Sequence, residues 1–209
     1  MQIELKTEDG ICPAHVFQND GPGVILYMDG IGMRPALLPL AERVAAAGYH
    51  VLMPDLFYRS APYVAPDPKQ LFADPNVRAE WFKKVSTTTN VANCMKDTRA
   101  FLDYFKMPNN KHPELIGVFG YCMGGRMALS AAGTFPDRIA ACAAFHPGNL
   151  ANDAPDSPHL LADRIRARVY IAAASEDQSF PEEQKQRLAD ALTKAKVDYQ
   201  LETYPARHG

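Results

Sequence analysis

The sequence of 209 residues has no long apolar run, no basic excess and no closely paired cysteines, and each absence excludes a class of protein. No apolar stretch approaches the length of about 20 residues that a membrane-spanning helix needs, and the N-terminus lacks the apolar core of a signal region. The net charge of −2, without a basic stripe, argues against nucleic acid as a partner. The sequence therefore predicts a cytoplasmic protein that binds neither membrane nor nucleic acid, and it leaves the oligomeric state open.

The four cysteines form no C-x-x-C pair and show no metal-ligand spacing. Three of them, Cys12, Cys94 and Cys142, lie in segments typical of buried structure, where a free thiol usually packs as a small apolar side chain. This usage is typical of a reduced, intracellular chain. It implies neither a metal site nor an organic cofactor.

The chain does contain a regular alternation of strand-like and helix-like segments. With 209 residues and 47% hydrophobic composition, it can form one domain over 1–209 without disulfide or metal staples. The alternation predicts a mostly parallel central sheet with helices on both faces. Residues 55–80 are rich in proline and aromatic residues and show little periodicity, which predicts a lid or pocket wall rather than a second domain. Predicted strands cover 2–7, 12–17, 23–28, 50–53, 115–119, 139–145, 169–174 and 199–204, and predicted helices cover 35–47, 90–105, 123–132 and 181–194.

The most informative segment is Gly120-Tyr121-Cys122-Met123-Gly124. An apolar run over 115–119 precedes it and a helical run over 123–132 follows it, so the cysteine lies on a sharp turn between strand and helix. Glycines two residues before and two residues after Cys122 leave this turn sterically bare, as a nucleophile elbow requires. The context favours a catalytic thiol over a buried structural cysteine.

A thiol nucleophile needs a base to take its proton and a group to orient that base. Asp177 follows the predicted strand 169–174, and His208 follows the last predicted strand. Both therefore lie at the carboxyl ends of strands, where open α/β sheets form their sites, and they occur in the order nucleophile, acid, histidine. Two alternatives remain for the acid: Glu176 could take its place, and Asp177 could instead cap the helix that begins near Pro181.

These motifs resemble the dienelactone hydrolase family, whose members are cysteine-dependent enzymes of the α/β-hydrolase fold. The resemblance extends over the whole chain. It rests on Gly120-Tyr121-Cys122-Met123-Gly124-Gly125, on Asp177 followed by Phe180-Pro181, and on the terminal Ala206-Arg207-His208-Gly209. It implies the α/β-hydrolase fold and the hydrolysis of a small carboxylic ester or lactone through a thioester intermediate.

The resemblance also implies a role for individual residues. Cys122 corresponds to the nucleophile, His208 to the general base and acid, and Asp177 to the carboxylate that orients the histidine. The backbone N–H groups of Met123 and Gly30 correspond to the oxyanion hole, in which the loss of one donor typically costs about 10²–10³ in rate. No cofactor is implied.

Two features depart from the family pattern. Family members usually carry a glutamate in the loop after the third strand, where it contacts the resting thiol, whereas this chain has the shorter Asp29. A carboxylate near the thiol would disfavour the thiolate, so an accessory role for Asp29 stays open. Family members also continue beyond the final histidine into a helix that covers the sheet. The sequence predicts a domain that lacks this C-terminal helix, with His208 near a chain end.

An anionic substrate would require an arginine, whose planar guanidinium binds a carboxylate through two hydrogen bonds. Arg78, in the lid-like region, is the main candidate because family members carry a carboxylate-binding arginine nearby. The alternatives are Arg34, Arg59 and Arg207. Further candidates for substrate contact are Trp81, Tyr121 and His146, and Trp81 could form an apolar pocket wall, or core beneath the lid, with Phe57, Tyr58, Tyr63 and Phe145.

Two other functions remain possible. The chain could be a non-catalytic α/β-hydrolase-fold protein that binds a small molecule, which Asp29 and the missing helix would favour. It could also be an acyltransferase that passes the acyl group from Cys122 to an alcohol or thiol instead of water. The sequence does not separate transfer from hydrolysis.

Overall fold

Eight strands form a single sheet in the computed structural model, which describes residues 1–106 and 115–209. The strands are β1 (Gln2–Thr7), β2 (Gly10–Phe17), β3 (Gly23–Tyr27), β4 (His50–Pro54), β5 (Ile116–Tyr121), β6 (Ile139–Phe145), β7 (Arg168–Glu176) and β8 (Tyr199–Arg207). The α-helices are α1 (Leu38–Ala46), α2 (Pro68–Ala73), α3 (Pro75–Ser86), α4 (Val91–Tyr104), α5 (Met123–Thr134) and α6 (Glu182–Lys194). Short 3-10 helices cover Pro35–Leu37, Tyr58–Ser60 and Pro158–Arg164.

The strand order is β1-β2-β4-β3-β5-β6-β7-β8, and the six strands from β4 to β8 in this order are parallel. The chain moves outward from the centre in both directions, because β3 leads to β4 on one side and β5 leads to β6 on the other. Right-handed crossovers therefore place α1 and α5 on opposite faces of the sheet. This arrangement confirms the predicted mostly parallel sheet with helices on both faces. It also creates a switch point between β3 and β5, where ligands bind in open α/β sheets.

The central strands are hydrophobic on both faces because helices or loops cover both faces near the switch point. Every residue of Gly23–Tyr27 is buried, which explains the continuous apolar run in the sequence. α5 contacts β5, β6 and β3, and α4 packs on α5. None of the helices in the described part of the chain is long and apolar enough to cross a membrane.

The predicted lid region contains two helices that the sequence pattern did not indicate. α2 and α3 each begin with a proline after an aspartate, and the aspartate side chain accepts hydrogen bonds from the first turn. The Asp67 carboxylate binds the N–H of Lys69 at 2.7 Å, and the Asp74 carboxylate binds that of Asn76 at 2.8 Å. Both are favourable helix starts. The apolar periodicity is weak because these helices are largely exposed, so the sequence pattern did not reveal them.

Across β5, β6 and β7, the sheet face opposite α5 carries partly exposed aromatic side chains. Tyr121 stacks on Phe145 with ring centroids 5.2 Å apart, and Tyr170 lies 6.1 Å from Phe145. These three rings line a shallow groove of about 490 Å³, together with Val44 and Tyr49. The Tyr121 ring therefore lies on the opposite side of the sheet from α5.

Candidate active site

Cys122 occupies the turn between β5 and α5, with φ 53° and ψ −117°. A positive φ is costly for a residue other than glycine and is typical of a nucleophile elbow. The flanking glycines are needed because the backbone passes so closely: a Cβ on Gly120 would lie 2.2 Å from the carbonyl carbon of Gly124, and one on Gly124 would lie 2.2 Å from the carbonyl oxygen of Tyr27. The steric demand inferred from the sequence is therefore present in the fold.

Three loops at one edge of the sheet bring Cys122, His208 and Asp177 together. Asp177 follows β7, and His208 follows β8. Nδ1 of His208 lies 2.7 Å from Oδ2 of Asp177, and the proximity of the Cys122 thiol to the same imidazole raises the pKa of His208. Because Nδ1 is engaged by the carboxylate, Nε2 is left to face the thiol. The Ser179 hydroxyl donates to Oδ1 of Asp177 at 2.6 Å, which holds the carboxylate in place.

The geometry favours Asp177 over the alternatives considered for the acid. The side chain of Asp177 is 2% exposed. Glu176 instead pairs with Arg207 at 3.1 Å on the open surface. Asp177 does not cap α6, whose N-cap is Pro181 without a side-chain hydrogen bond.

The electrostatics of the site favour a charged histidine. The hydrogen bond with Cys122 is the main cause that raises the pKa of His208 to about 9; burial opposes this shift and Asp177 adds to it. Burial also works against the charge of Asp177, but hydrogen bonds from Ser179 and His208 hold its pKa below the ordinary value. Cys122 is the N-cap residue of α5, so its side chain lies near the positive end of the helix dipole. The arrangement can hold an imidazolium beside the Cys122 sulfur.

The two backbone positions expected to form an oxyanion hole lie beside the thiol. β3 and β5 are neighbours, with Tyr27 paired to Gly120, so the loops that follow them run side by side. Gly30 and Met123 line the same cavity of about 590 Å³ as Cys122 and His208. Apolar side chains form part of its wall, namely Phe82, Val85, Val91, Met123 and Met127.

Comparison with known proteins agrees with this geometry. The sequence profile described as "Dienelactone hydrolase family" matches residues 12–209. The chain belongs to the dienelactone hydrolase family. Membership makes it an ester or lactone hydrolase at the level of the family.

The relatives of this dienelactone hydrolase family member are distant. It is 28% identical over 192 residues to a provisionally named carboxymethylenebutenolidase of Synechocystis sp., covering 90% of this chain and 75% of the relative. A provisionally named dienelactone hydrolase of Klebsiella pneumoniae has a TM-score of 0.82 at 22% identity, over 100% of this chain and 86% of that chain. A dienelactone hydrolase-like promiscuous phosphotriesterase from metagenomic libraries has a TM-score of 0.76 at 20% identity, over 100% of this chain and 82% of that chain. These likenesses show that the fold is the α/β-hydrolase fold.

An arginine that the sequence reading missed lies in the active-site cavity of this family member. Arg126 follows Cys122 by four residues on α5, so the two share one helix face. Its Nη2 donates to Asp156 at 2.8 Å, while its Nε is buried without a partner. Apart from His208, it is the one basic side chain among the described residues that line the cavity. The spacing of four residues between Cys122 and Arg126 is a sequence feature from which this arginine could have been predicted.

The arginines proposed from the sequence lie elsewhere. Arg78 is exposed on α3 and is absent from the described lining of the cavity, so the structure does not bring it to Cys122. The other three candidates already have carboxylate partners: Arg34 pairs with Asp29, Arg59 with Asp97, and Arg207 with Glu176.

Asp29 is part of a rigid loop rather than of the described cavity lining. Arg34 donates to both carboxylate oxygens of Asp29, at 2.7 Å and 2.7 Å. The N–H of Ile31 adds a third hydrogen bond of 2.9 Å to Oδ1. The two hydrogen bonds from Arg34 direct the Asp29 carboxylate at the guanidinium. Asp29 therefore has a partner other than the Cys122 thiol.

His146 packs against His208 and is absent from the described lining of the cavity. Its ring centroid lies 5.0 Å from that of His208 at an interplanar angle of 76°, and 5.8 Å from that of Tyr121. Burial, with a smaller contribution from nearby His208, lowers the pKa of His146. His146 is therefore harder to protonate than an exposed histidine.

Trp81 packs with Phe57 and Tyr63 beneath the lid region, which is one of the two placements that the sequence left open. Its indole N–H donates to the carbonyl oxygen of Gly30 at 2.9 Å. The ring packs against Phe57 and Tyr63, with centroids 6.0 Å and 5.9 Å away. Trp81 lies on α3 and thus supports the loop that contains Gly30. Its ring belongs to an aromatic cluster with Phe57 and Tyr63.

Proposed function

We propose that the protein hydrolyses a small carboxylic ester or lactone through a thioester formed on Cys122. The observation that carries this proposal is the series of Cys122, His208 and buried Asp177, in which the three side chains line one cavity and Nδ1 of His208 lies 2.7 Å from the Asp177 carboxylate. Each member of this series has the chemical type that its role requires: a nucleophile, a base and a group that orients the base. All four cysteines are free, which supports the cytoplasmic location that the sequence predicts.

The first step acylates the thiol. The Cys122 thiolate attacks the carbonyl carbon, and the carbonyl electron pair moves to oxygen, where the N–H groups of Gly30 and Met123 stabilise it. The carbon–oxygen bond to the alcohol then breaks, and the leaving alkoxide takes the proton of the His208 imidazolium. In a lactone, the released alcohol stays attached to the acyl group.

The second step returns the thiol to its resting state. Neutral His208 takes a proton from a water molecule, which attacks the thioester carbonyl. The carbon–sulfur bond breaks, the acid leaves, and the Cys122 thiolate is restored opposite the protonated His208. Asp177 keeps Nδ1 of His208 engaged, so that Nε2 serves both steps. The sum of the two steps is ester plus water to acid plus alcohol.

The substrate of this reaction carries an anionic group. Arg126 supports this choice because its Nε is buried without a partner and its side chain lines a cavity that is lined in part by apolar side chains. Asp156, its carboxylate partner, is half-exposed, with 48% of its side chain accessible. A substrate carboxylate can therefore share the guanidinium with Asp156 while the carbon skeleton packs on Val85 and Met127.

The test is steady-state hydrolysis of p-nitrophenyl acetate by wild type, Cys122→Ala and Cys142→Ala. Cys142 is a matched control because it is also a free thiol, but it is buried in β6. We expect Cys122→Ala to lose activity by at least about 10³-fold, while folded Cys142→Ala retains it. Full activity in a pure Cys122→Ala preparation would contradict the proposal.

A further inference from the structure

We propose that Trp81 is a positioning residue that sets the direction of the Gly30 N–H in the oxyanion hole, an inference that rests on the proposed hydrolase function. The sequence suggested Trp81 as a substrate contact. The structure instead places its indole N–H 2.9 Å from the carbonyl oxygen of Gly30. Trp81 acts on the reaction through this backbone bond, without touching the substrate.

The peptide that follows Gly30 is held at both of its polar groups. Trp81 binds its carbonyl oxygen, and the Asp29 carboxylate binds its N–H, which belongs to Ile31, at 2.9 Å. The Asp29 carboxylate is itself fixed by two hydrogen bonds of 2.7 Å from Arg34. With the chain fixed on both sides of Gly30, its two backbone dihedrals have little freedom, and these dihedrals set the direction of its N–H.

Glycine makes this support necessary. Gly30 has no side chain to restrict its backbone, so an unsupported peptide at this position can rotate. A Cβ at Gly30 would lie 3.0 Å from Cε1 of Phe82, so the loop passes directly against α3. Close packing thus favours glycine here, and the hydrogen bond from Trp81 replaces the restriction that a side chain would have given.

The donor itself is rigid. The Trp81 ring meets Phe57 and Tyr63 at interplanar angles of 72° and 57°, and Phe57 and Tyr63 also touch each other, with centroids 5.7 Å apart. Phe57 is fully buried. The Tyr63 hydroxyl additionally accepts the N–H of Met33 at 3.2 Å, which ties the far end of the same loop to this aromatic cluster. An indole N–H held in this way is already oriented before any oxyanion forms.

Two reactions of Cys122 separate this role from a merely structural one. Acylation by p-nitrophenyl acetate passes through an oxyanion at the carbonyl oxygen. Alkylation by iodoacetamide forms a sulfur–carbon bond and expels iodide, and no oxyanion appears. A misdirected Gly30 N–H therefore slows acylation alone, whereas general damage to the thiol, His208 or the fold slows both reactions.

The experiment measures both rates in wild type, Trp81→Phe and Phe57→Leu. Trp81→Phe removes the N–H donor but keeps an aromatic ring, and Phe57→Leu disturbs the packing of the same cluster but keeps the donor. We expect Trp81→Phe to slow acylation about tenfold or more, because a misdirected Gly30 N–H loses part of the stabilisation that one oxyanion donor provides. The rate of alkylation should stay within about twofold of wild type. Phe57→Leu is expected to change the ratio of the two rates less than Trp81→Phe does, because the indole donor is retained.

Equal acylation rates in wild type and folded Trp81→Phe would overturn the proposal, and so would a parallel loss of both reactions in that variant. Either result leaves the hydrolase function intact. A wild-type protein that is alkylated but never acylated would instead contradict the proposed function, so the two failures are distinguishable.

A spectroscopic measurement tests the hydrogen bond directly. The chain has 1 tryptophan, so its indole N–H gives a unique signal in a ¹H–¹⁵N spectrum. We expect this signal to be protected from hydrogen exchange and to shift when an aldehyde adds to Cys122 as a tetrahedral hemithioacetal. Exchange at the rate of free indole, or no shift on formation of the adduct, would contradict the proposed role.

Discussion

Asp177 accepts a hydrogen bond of 2.7 Å from Nδ1 of His208, and the Asp177 side chain is only 2% exposed. A carboxylate in this position fixes both the tautomer and the ring orientation of the histidine, and it stabilises the imidazolium. The Ser179 hydroxyl and N–H bind the other carboxylate oxygen, so the acid cannot easily turn away. The relationship makes Asp177 the group on which the placement of His208 depends, and Asp177 also adds to the raised pKa of His208.

Replacement of this acid should therefore impair turnover far more than replacement of its neighbour. We expect Asp177→Asn to reduce kcat by about 10²-fold or more, since the amide cannot stabilise the imidazolium. Glu176→Gln is the matched control, because Glu176 pairs with Arg207 on the surface. Its kcat should stay within about twofold of wild type. Steady-state kinetics on p-nitrophenyl acetate measures kcat of both variants. Equal losses of kcat in the two variants would contradict the assignment of Asp177 as the acid.

Activity should fall on the alkaline side as His208 loses its proton. The pKa of His208 is raised from 6.5 to about 9, mainly by its hydrogen bond with Cys122. Above about pH 9, acylation should slow because no imidazolium remains to protonate the leaving group. A pH profile of kcat/KM measures this limb, and a flat profile to pH 10 or above would contradict it.

The same shift predicts how stability depends on pH. A pKa that is higher in the folded than in the unfolded state stabilises the fold fully below the unfolded value, so this contribution is complete below about pH 6.5 and is lost as pH rises through about 9. Removal of the thiol in Cys122→Ala should move the pKa of His208 back toward its ordinary value. An NMR titration of the His208 ring in both proteins checks this, and identical titration curves would contradict the coupling.

Substrate charge should matter through Arg126. We expect Arg126→Gln to raise KM for a mono-p-nitrophenyl dicarboxylate by about 10- to 100-fold, because one charge-assisted hydrogen bond is lost. KM for the neutral acetate should change little. The matched variant Asp156→Asn frees the guanidinium from its 2.8 Å partner and should lower KM for the anionic ester. Equal effects on the neutral and the anionic ester would contradict a role in charge recognition.

The elbow glycines should tolerate no side chain. A methyl group on Gly120 would lie 2.2 Å from the backbone of Gly124, so Gly120→Ala should reduce the free energy of unfolding by at least about 2 kcal/mol. Gly117→Ala, on the same strand, is the control, because its methyl group would meet nothing closer than the Val24 side chain at 3.3 Å. Urea denaturation compares the two variants. A Gly120→Ala protein as stable as wild type would show that the elbow is more open than the structure indicates.

The elbow could be predicted from the sequence because its requirements are local. The glycines around Cys122 answer a steric demand within a few residues, and the strand and helix on either side carry their own periodicity. Asp177 and His208 were identified by their placement after strands. The parallel sheet then brought their side chains to one edge.

Contacts that depend on partners distant in sequence could not be predicted. Whether Asp29 faces the thiol or Arg34 depends on loop geometry, and its paired hydrogen bonds with Arg34 appear only in the folded chain. The donor role of Trp81 toward Gly30 likewise joins residues 51 positions apart. The sequence favours Arg78 because family members carry a carboxylate-binding arginine nearby, but the structure has Arg78 exposed on α3.

The most direct test of the central claim is mass spectrometry of the intact protein after brief exposure to p-nitrophenyl acetate. The proposed mechanism predicts one acetyl group on Cys122 that disappears with time as water releases acetate, and no such adduct in Cys122→Ala. Turnover of the ester by wild type without any acyl adduct on Cys122, or an unchanged adduct in Cys122→Ala, would contradict catalysis through a thioester.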